Sequence, residues 1–80
     1  MEEQTRQTLE NLKNLLEAAG YSLSDVLKVL IFLKRTDDFA GMNRVYSEYF
    51  KTNPPARSTI QAEMMNPKLL IELEAVACRN

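Results

Sequence analysis

Apolar residues recur along this chain with two different periods. Over residues 2–19 they return every three or four positions. Leu9, Leu12, Leu16 and Ala19 stack on one face and Leu15 widens the stripe, which predicts an amphipathic helix. Glu2 and Glu3 fall in its first turn, where the positive end of the helix dipole favours acids. Gly20 follows where a helix end often requires φ > 0. After a connector over residues 21–24 the period changes. Residues 25–34 predict a strand in which Val26, Leu27, Val29, Leu30, Ile31, Phe32 and Leu33 are apolar on both alternating faces. A strand of that kind is covered on both sides. The helices supply one cover, and no remaining segment supplies the other, so a second subunit is expected there.

Residues 36–50 return to helical spacing, with Phe39, Met42 or Asn43, Tyr46 and Phe50 in register and Thr36, Asp37 or Asp38 available as caps. Asn53-Pro54-Pro55 stops this helix and forces extended backbone. Residues 57–65 read as a strand, Asn66-Pro67-Lys68 as a turn, and residues 69–78 as a last strand. The two are expected to form an antiparallel hairpin, while the strand–helix–strand passage before it has the shape of a right-handed crossover. The predicted class is α+β, in the order helix, strand, helix, strand, strand, with no internal repeat, linker or low-complexity stretch.

Eighty residues give one domain, 1–80. A chain of this size buries roughly 60–65% of its unfolded surface, so a lone copy is expected to be marginally stable. Its single cysteine, Cys78, excludes an internal disulfide, and with no histidine there is no zinc pattern. Oligomerisation is the support that remains. Ten basic and eleven acidic residues are interspersed, for a net charge of −1. The absence of a basic stripe speaks against a strong grip on nucleic acid. No apolar run is long enough to span a membrane, and the acidic start Met1-Glu2-Glu3-Gln4 is not a signal peptide. A lone thiol suits a reducing, cytoplasmic compartment.

The candidate chemistry lies in two segments. Pro55-Ala56-Arg57-Ser58 places an arginine at the mouth of a strand, and Ile71-Glu72-Leu73-Glu74-Ala75-Val76-Ala77 is a strand carrying two acids. A guanidinium fork holds a carboxylate through two parallel charge-assisted bonds, and a carboxylate can orient or deprotonate water. The plainer alternatives are a surface arginine paired with an acid and two solvated strand acids. Glu74 shares the face of Glu72. In the expected hairpin, Glu72 lies opposite residues 61–63 and Arg57 opposite residues 76–78, too far apart for one small substrate. If both serve one site, they come from two chains. Cys78 lacks a histidine partner for nucleophilic catalysis and reads as a packed structural thiol. Phe32, Phe39, Tyr46 and Phe50 read as core, and Met64 and Met65 as packing residues.

Together with Ala18-Ala19-Gly20, Phe32-Leu33-Lys34 and Asp38-Phe39-Ala40 followed by Asn43, Tyr46 and Phe50, these segments resemble the RidA/YjgF family of reactive-intermediate (2-iminopropanoate/2-iminobutanoate) deaminases over roughly residues 5–79. The resemblance implies a chorismate-mutase-like α+β fold with helices on one face of a mixed sheet. It also implies a homotrimer with clefts between subunits and cofactor-free hydrolysis of 2-imino acids to 2-oxo acids and ammonia. Family members carry additional strands before the first helix that contribute to the cleft, and this sequence starts at the helix. By the same resemblance Arg57 binds the substrate carboxylate, Glu72 handles water, and Asn43 lines the cleft. Thr59 stands where many relatives have cysteine; a hydroxyl there can hydrogen-bond in the cleft or be an ordinary β-branched strand residue. The rival readings are a non-catalytic trimeric carboxylate-binding module or inactive fragment and, third, the ribonuclease or translation-inhibitor activity by which the family is also labelled. The physics of the charge pattern ranks that last.

Overall fold

Two helices and three strands form where the two periods place them. The computed structural model describes residues 1–78. Its elements are α1 (Glu2–Ala18), β1 (Val26–Leu33), α2 (Phe39–Tyr49), β2 (Ala56–Gln61) and β3 (Ile71–Ala77), with short 3-10 turns at Leu23–Asp25 and Thr36–Asp38. The end of α1 is a Schellman motif. Gly20 has φ 86°, its N–H donates to Glu17 O at 3.1 Å, and the N–H of Tyr21 donates to Leu16 O at 2.7 Å. Two orphan carbonyls are thereby satisfied, which fixes where the chain leaves the helix. The start of α2 differs from expectation, because none of Thr36, Asp37 and Asp38 makes a side-chain cap. The preceding 3-10 turn leads directly into the α-helix instead.

The sheet has the order β2-β1-β3. Strands β1 and β2 run parallel, joined through α2, and β1 and β3 run antiparallel. The expected β2–β3 hairpin does not form, nor does the register derived from it. The reason is visible at the far end of β1, where Leu33 O accepts from the N–H of Ala62 at 2.9 Å and the N–H of Lys34 donates to Leu70 O at 3.0 Å. Residues 62–70 therefore straddle the end of β1, and the most apolar strand takes the centre with both edges paired. The turn at Asn66 is present, with Asn66 O accepting from Leu69 N at 3.0 Å, but it turns the crossing and not a hairpin. Strand β2 also ends at Gln61, shorter than the expected run to residue 65, and Met65 is exposed.

Alternation along β1 divides the sheet. Val29, Ile31 and Leu33 face the helices and are buried with Leu9 and Leu16 of α1, Met42, Val45 and Tyr46 of α2, and Ile71 of β3. Lys28, Leu30 and Phe32 occupy the other face, level with Ser58 and Ile60 of β2 and with Glu72, Glu74 and Val76 of β3. Among the described residues no helix covers that face; Val76 is 59% and Ile60 46% exposed. The stripe of α1 is narrower than its spacing suggests, since Leu15 and Ala19 face solvent. Phe39 is exposed as well, a departure from its expected place in the core.

The helices are held together mainly by this burial. Across their outer surface run Arg6–Glu48 at 3.1 Å and Arg44–Glu2 at 3.0 Å, exposed pairs of the kind that contribute about 0–1 kcal/mol each. Gln4 makes a more specific connection. Its Oε1 accepts from Leu70 N at 2.8 Å and its Nε2 donates to Lys68 O at 3.0 Å. This side chain ties α1 to the segment that delivers β3 to the sheet.

Ile31, central in the middle strand and fully buried, is the sharpest test of this packing. Ile31→Ala is expected to lower stability by about 2–5 kcal/mol. Leu15→Ala should stay within about 0.5 kcal/mol of the parent. Urea unfolding midpoints would separate the two.

Candidate functional site

Strand pairing decides which face each candidate residue occupies. Arg57 is level with Val29, and neighbouring residues at one level of a sheet point to the same side. Val29 is buried under the helices, so Arg57 rises toward α2. It meets a stripe formed by Phe39, Asn43 and Tyr46, spaced at i, i+4 and i+7 on that helix. The Nη1 of Arg57 donates to Asn43 Oδ1 at 2.7 Å. Its guanidinium carbon lies 4.7 Å from the Tyr46 ring centroid and 5.6 Å from that of Phe39, both within cation–π range. Among the described residues no carboxylate forms an ion pair with Arg57. The guanidinium is thus oriented by an amide and two rings while its charge stays uncompensated.

Thr59 lies two residues further along β2 on the same face as Arg57. It lines a groove of ≈ 230 Å³ together with Leu33, Thr36, Phe39, Ile60 and Gln61. Phe39 belongs both to this groove and to the surroundings of Arg57. The resemblance puts Asn43 in the cleft, and here it holds Arg57. Phe39 and Tyr46 are the contributors that sequence reasoning assigns to the core. Their spacing with Asn43 on one stripe of α2 is the signal that groups them with the arginine.

Tyr46 is nearly fully buried, with its ring 4.7 Å from that of Phe50. Its hydroxyl oxygen is buried without a hydrogen-bond partner among the described residues. Burial favours the neutral phenol and raises its pKa above the ordinary 10.0, while the Arg57 charge pulls it partly back. Tyr49 is also raised above 10.0, chiefly because its hydroxyl donates to Glu10 at 2.5 Å. That contact links the two helices away from Arg57.

Glu72 is elsewhere. It pairs with Phe32 and so shares the uncovered face with Glu74, level with Leu30. Both acids are exposed. The two share a face, as expected from their spacing, but it is the face opposite Arg57. Arg57 and Glu72 stand two strands apart and three residues apart in level, a separation of roughly 14 Å from standard sheet dimensions. One copy of the chain does not bring them together. Cys78 is exposed, not packed as expected, and its N–H donates to Asp25 O at 3.0 Å just beyond β3.

The family model described as Endoribonuclease L-PSP matches residues 1–79. A RutC family protein of Pyrococcus horikoshii is 53% identical over 77 residues, covering 96% of this chain and 61% of that protein. The 3-aminoacrylate deaminase RutC of Acinetobacter baylyi is 45% identical over 74 residues, covering 92% and 59%. Among solved structures, the YjgF gene product of E. coli superposes with a TM-score of 0.88 at 37% identity, over 95% of this chain and 62% of that one. The chain therefore spans about three fifths of the length of these relatives.

The buried phenol of Tyr46 makes a pH-dependent prediction. Its pKa is raised on folding, so the stability it contributes is present below pH 10.0 and is lost as pH rises above that value, because the unfolded chain releases its proton first. Tyr46→Phe should reduce that alkaline loss. Below pH 10 the variant should be as stable as the parent or more so by about 1 kcal/mol, since an unpartnered buried hydroxyl is removed. Urea unfolding at pH 8 and pH 10.5 tests both, and absorbance titration of phenolate should lose one of its late-titrating groups.

Proposed function

The chain belongs to the endoribonuclease L-PSP family, the RutC/YjgF proteins, and on that premise we propose that it hydrolyses 2-imino acids to 2-oxo acids and ammonia in clefts between subunits. The observation that carries this reading is Arg57: a guanidinium oriented by Asn43, flanked by two rings and paired with no carboxylate among the described residues. Such a group suits a carboxylate ligand, because its remaining N–H donors are fixed in direction and its charge is unspent. The activity named for the relative from Acinetobacter baylyi, 3-aminoacrylate deamination, acts on a small enamine carboxylate and supports the same class of substrate.

In the proposed reaction Arg57 holds the substrate carboxylate so that the C=N carbon faces water. A carboxylate, assigned to Glu72, accepts a proton from that water as its oxygen adds to the carbon. That proton passes to nitrogen, giving the tetrahedral carbinolamine; as its C–N bond breaks and C=O forms, the hydroxyl proton is taken by the carboxylate and delivered to nitrogen, which leaves as ammonia. Because Glu72 and Arg57 lie on opposite faces of one sheet, the acid is supplied by a neighbouring copy. The uncovered face, with Leu30, Phe32, Ile60 and Val76, provides the apolar surface for assembly as a homotrimer. No cofactor enters the scheme. The same separation of the two residues also favours a second reading, a carboxylate-binding module without catalysis. Ribonuclease activity ranks last, because the interspersed charges and a sequence pI of about 5.4 give phosphates no basic surface.

The test is hydrolysis of a 2-imino acid generated in situ by an amino-acid oxidase. Arg57→Ala is expected to reduce the rate by about 10- to 100-fold, the range for losing a hydrogen-bonded charge contact. Glu72→Gln should reduce it by about 100-fold or more. No activity from a folded oligomer that still binds 2-oxo acids through Arg57 would favour the binding-module reading. Sedimentation supplies a separate check: Val76→Lys should dissociate a trimer that the parent chain forms.

A further inference from the structure

A groove lies beside Arg57. It begins where the arginine's own surroundings end, since Phe39 flanks the guanidinium and also walls the groove. Thr59, the next residue of β2 on the same face, lies roughly 7 Å along the strand from Arg57. At that distance the rest of a small acid held by the guanidinium is within reach of Thr59. There Leu33 and Phe39 offer apolar surface, and Thr36, Thr59 and Gln61 form a neutral polar rim, while the side chain of Ile60, level with Phe32, belongs to the other face. None of the lining side chains is charged. Phe39 is 42% exposed, a large ring left open beside a cavity instead of packed into the core. The volume of ≈ 230 Å³ is below the range of roughly 300–1,000 Å³ for drug-sized ligands, and suits the side chain of a small acid.

We propose that this groove receives the side chain of the carboxylic acid bound at Arg57, so that the site prefers 2-imino and 2-oxo acids with branched or extended apolar side chains. Phe39 then has two separable roles. Its ring face positions the guanidinium, and the same side chain walls the side-chain subsite. The inference rests on the carboxylate reading of Arg57 given above and adds the identity of the substrate's other end. It excludes two classes of acid as preferred ligands. Those with a methyl side chain leave the groove empty, and those with a second carboxylate bring a charge where no cation lines the wall.

Equilibrium binding of three 2-oxo acids to the protein tests this: pyruvate, 2-oxo-4-methylpentanoate and 2-oxoglutarate. Each buried methylene is worth roughly a fourfold gain in affinity, so 2-oxo-4-methylpentanoate should bind about tenfold or more tighter than pyruvate even if the open groove buries it incompletely. The dicarboxylate should bind no better than pyruvate. Phe39→Leu removes the ring face and keeps an apolar wall, so it should weaken all three acids alike by about two- to fivefold, the range for an exposed cation–π contact. Phe39→Ala removes both, and should also collapse the preference for the branched acid to within about twofold. Because Phe39 is exposed, neither variant threatens the core, and unfolding midpoints near the parent's would confirm it. Equal affinity for all three acids, with binding still abolished by Arg57→Ala, would overturn the groove assignment and leave the carboxylate reading standing. Phe39 variants that alter sedimentation but not acid selectivity would overturn it too, by giving the groove to a subunit contact. If no acid binds at all, the carboxylate reading itself fails and this inference falls with it.

Discussion

Everything at the candidate site depends on β1 lying between two partners. A central strand has both edges hydrogen-bonded, so its alternation passes sideways to its neighbours without freedom to adjust. Val29 is fully buried under the helices, and its partners Arg57 and Ala75 are therefore committed to the helix side. Phe32 is on the other side, and its partner Glu72 follows it there. A slip of one residue in the β1–β2 register would send Arg57 to the uncovered face, away from Asn43 and both rings. The burial of an apolar face thus fixes the position of a charged group that takes no part in that burial.

The way Arg57 is held has a consequence for what it can bind. An acidic neighbour is the usual means of fixing an arginine, but it neutralises the charge and occupies the donors. Here the fixing is done by groups that leave the charge in place: an amide oxygen on Nη1 and the faces of two rings. Each ring is worth about 0.5–1 kcal/mol, enough to restrict the guanidinium without removing its demand for an anion. The stripe of α2 that supplies these groups is continuous with the stripe that packs the core through Met42 and Val45. Orientation of the arginine is therefore as stable as the helix itself.

The elements are legible in the sequence because each announces its own period and its own stop. Gly20 ends α1 as a positive-φ residue, and Pro54-Pro55 separates α2 from β2. The order of the sheet is not legible. Asn66-Pro67-Lys68 reads as a hairpin turn by local chemistry, and nothing local says that Ala62 and Leu70 bond to the adjacent residues Leu33 and Lys34, on either side of the end of β1. Strand partners are chosen by which pairing buries Val29, Ile31 and Leu33 most completely, and that is a property of the whole chain. Arg57 stands out by its motif and Asn43 by the resemblance, yet nothing in the sequence joins the two in a hydrogen bond. Phe39 and Tyr46 read as core because aromatic residues at helical spacing usually are. Tyr46 is indeed buried; Phe39 is not, because α2 ends its packed face one turn short of its first residue.

The separation of Arg57 and Glu72 ties the proposed chemistry to assembly. No rotamer change crosses a sheet, so within one copy the acid stays on the far side of the backbone from the arginine. The face that carries Glu72 also carries Leu30, Phe32, Ile60 and Val76, apolar surface that an isolated copy leaves in contact with water. Covering that surface stabilises a small chain whose own core is limited. In the proposed assembly the same event carries the acid of one copy into the neighbourhood of another. On the proposed reading, folding support and completion of the cleft are a single step, so both follow protein concentration by mass action. The Arg57–Asn43 hydrogen bond is built within one chain, so the proposed carboxylate grip does not follow concentration. On the same reading, binding and catalysis have different structural requirements, and dilution is the variable that separates them.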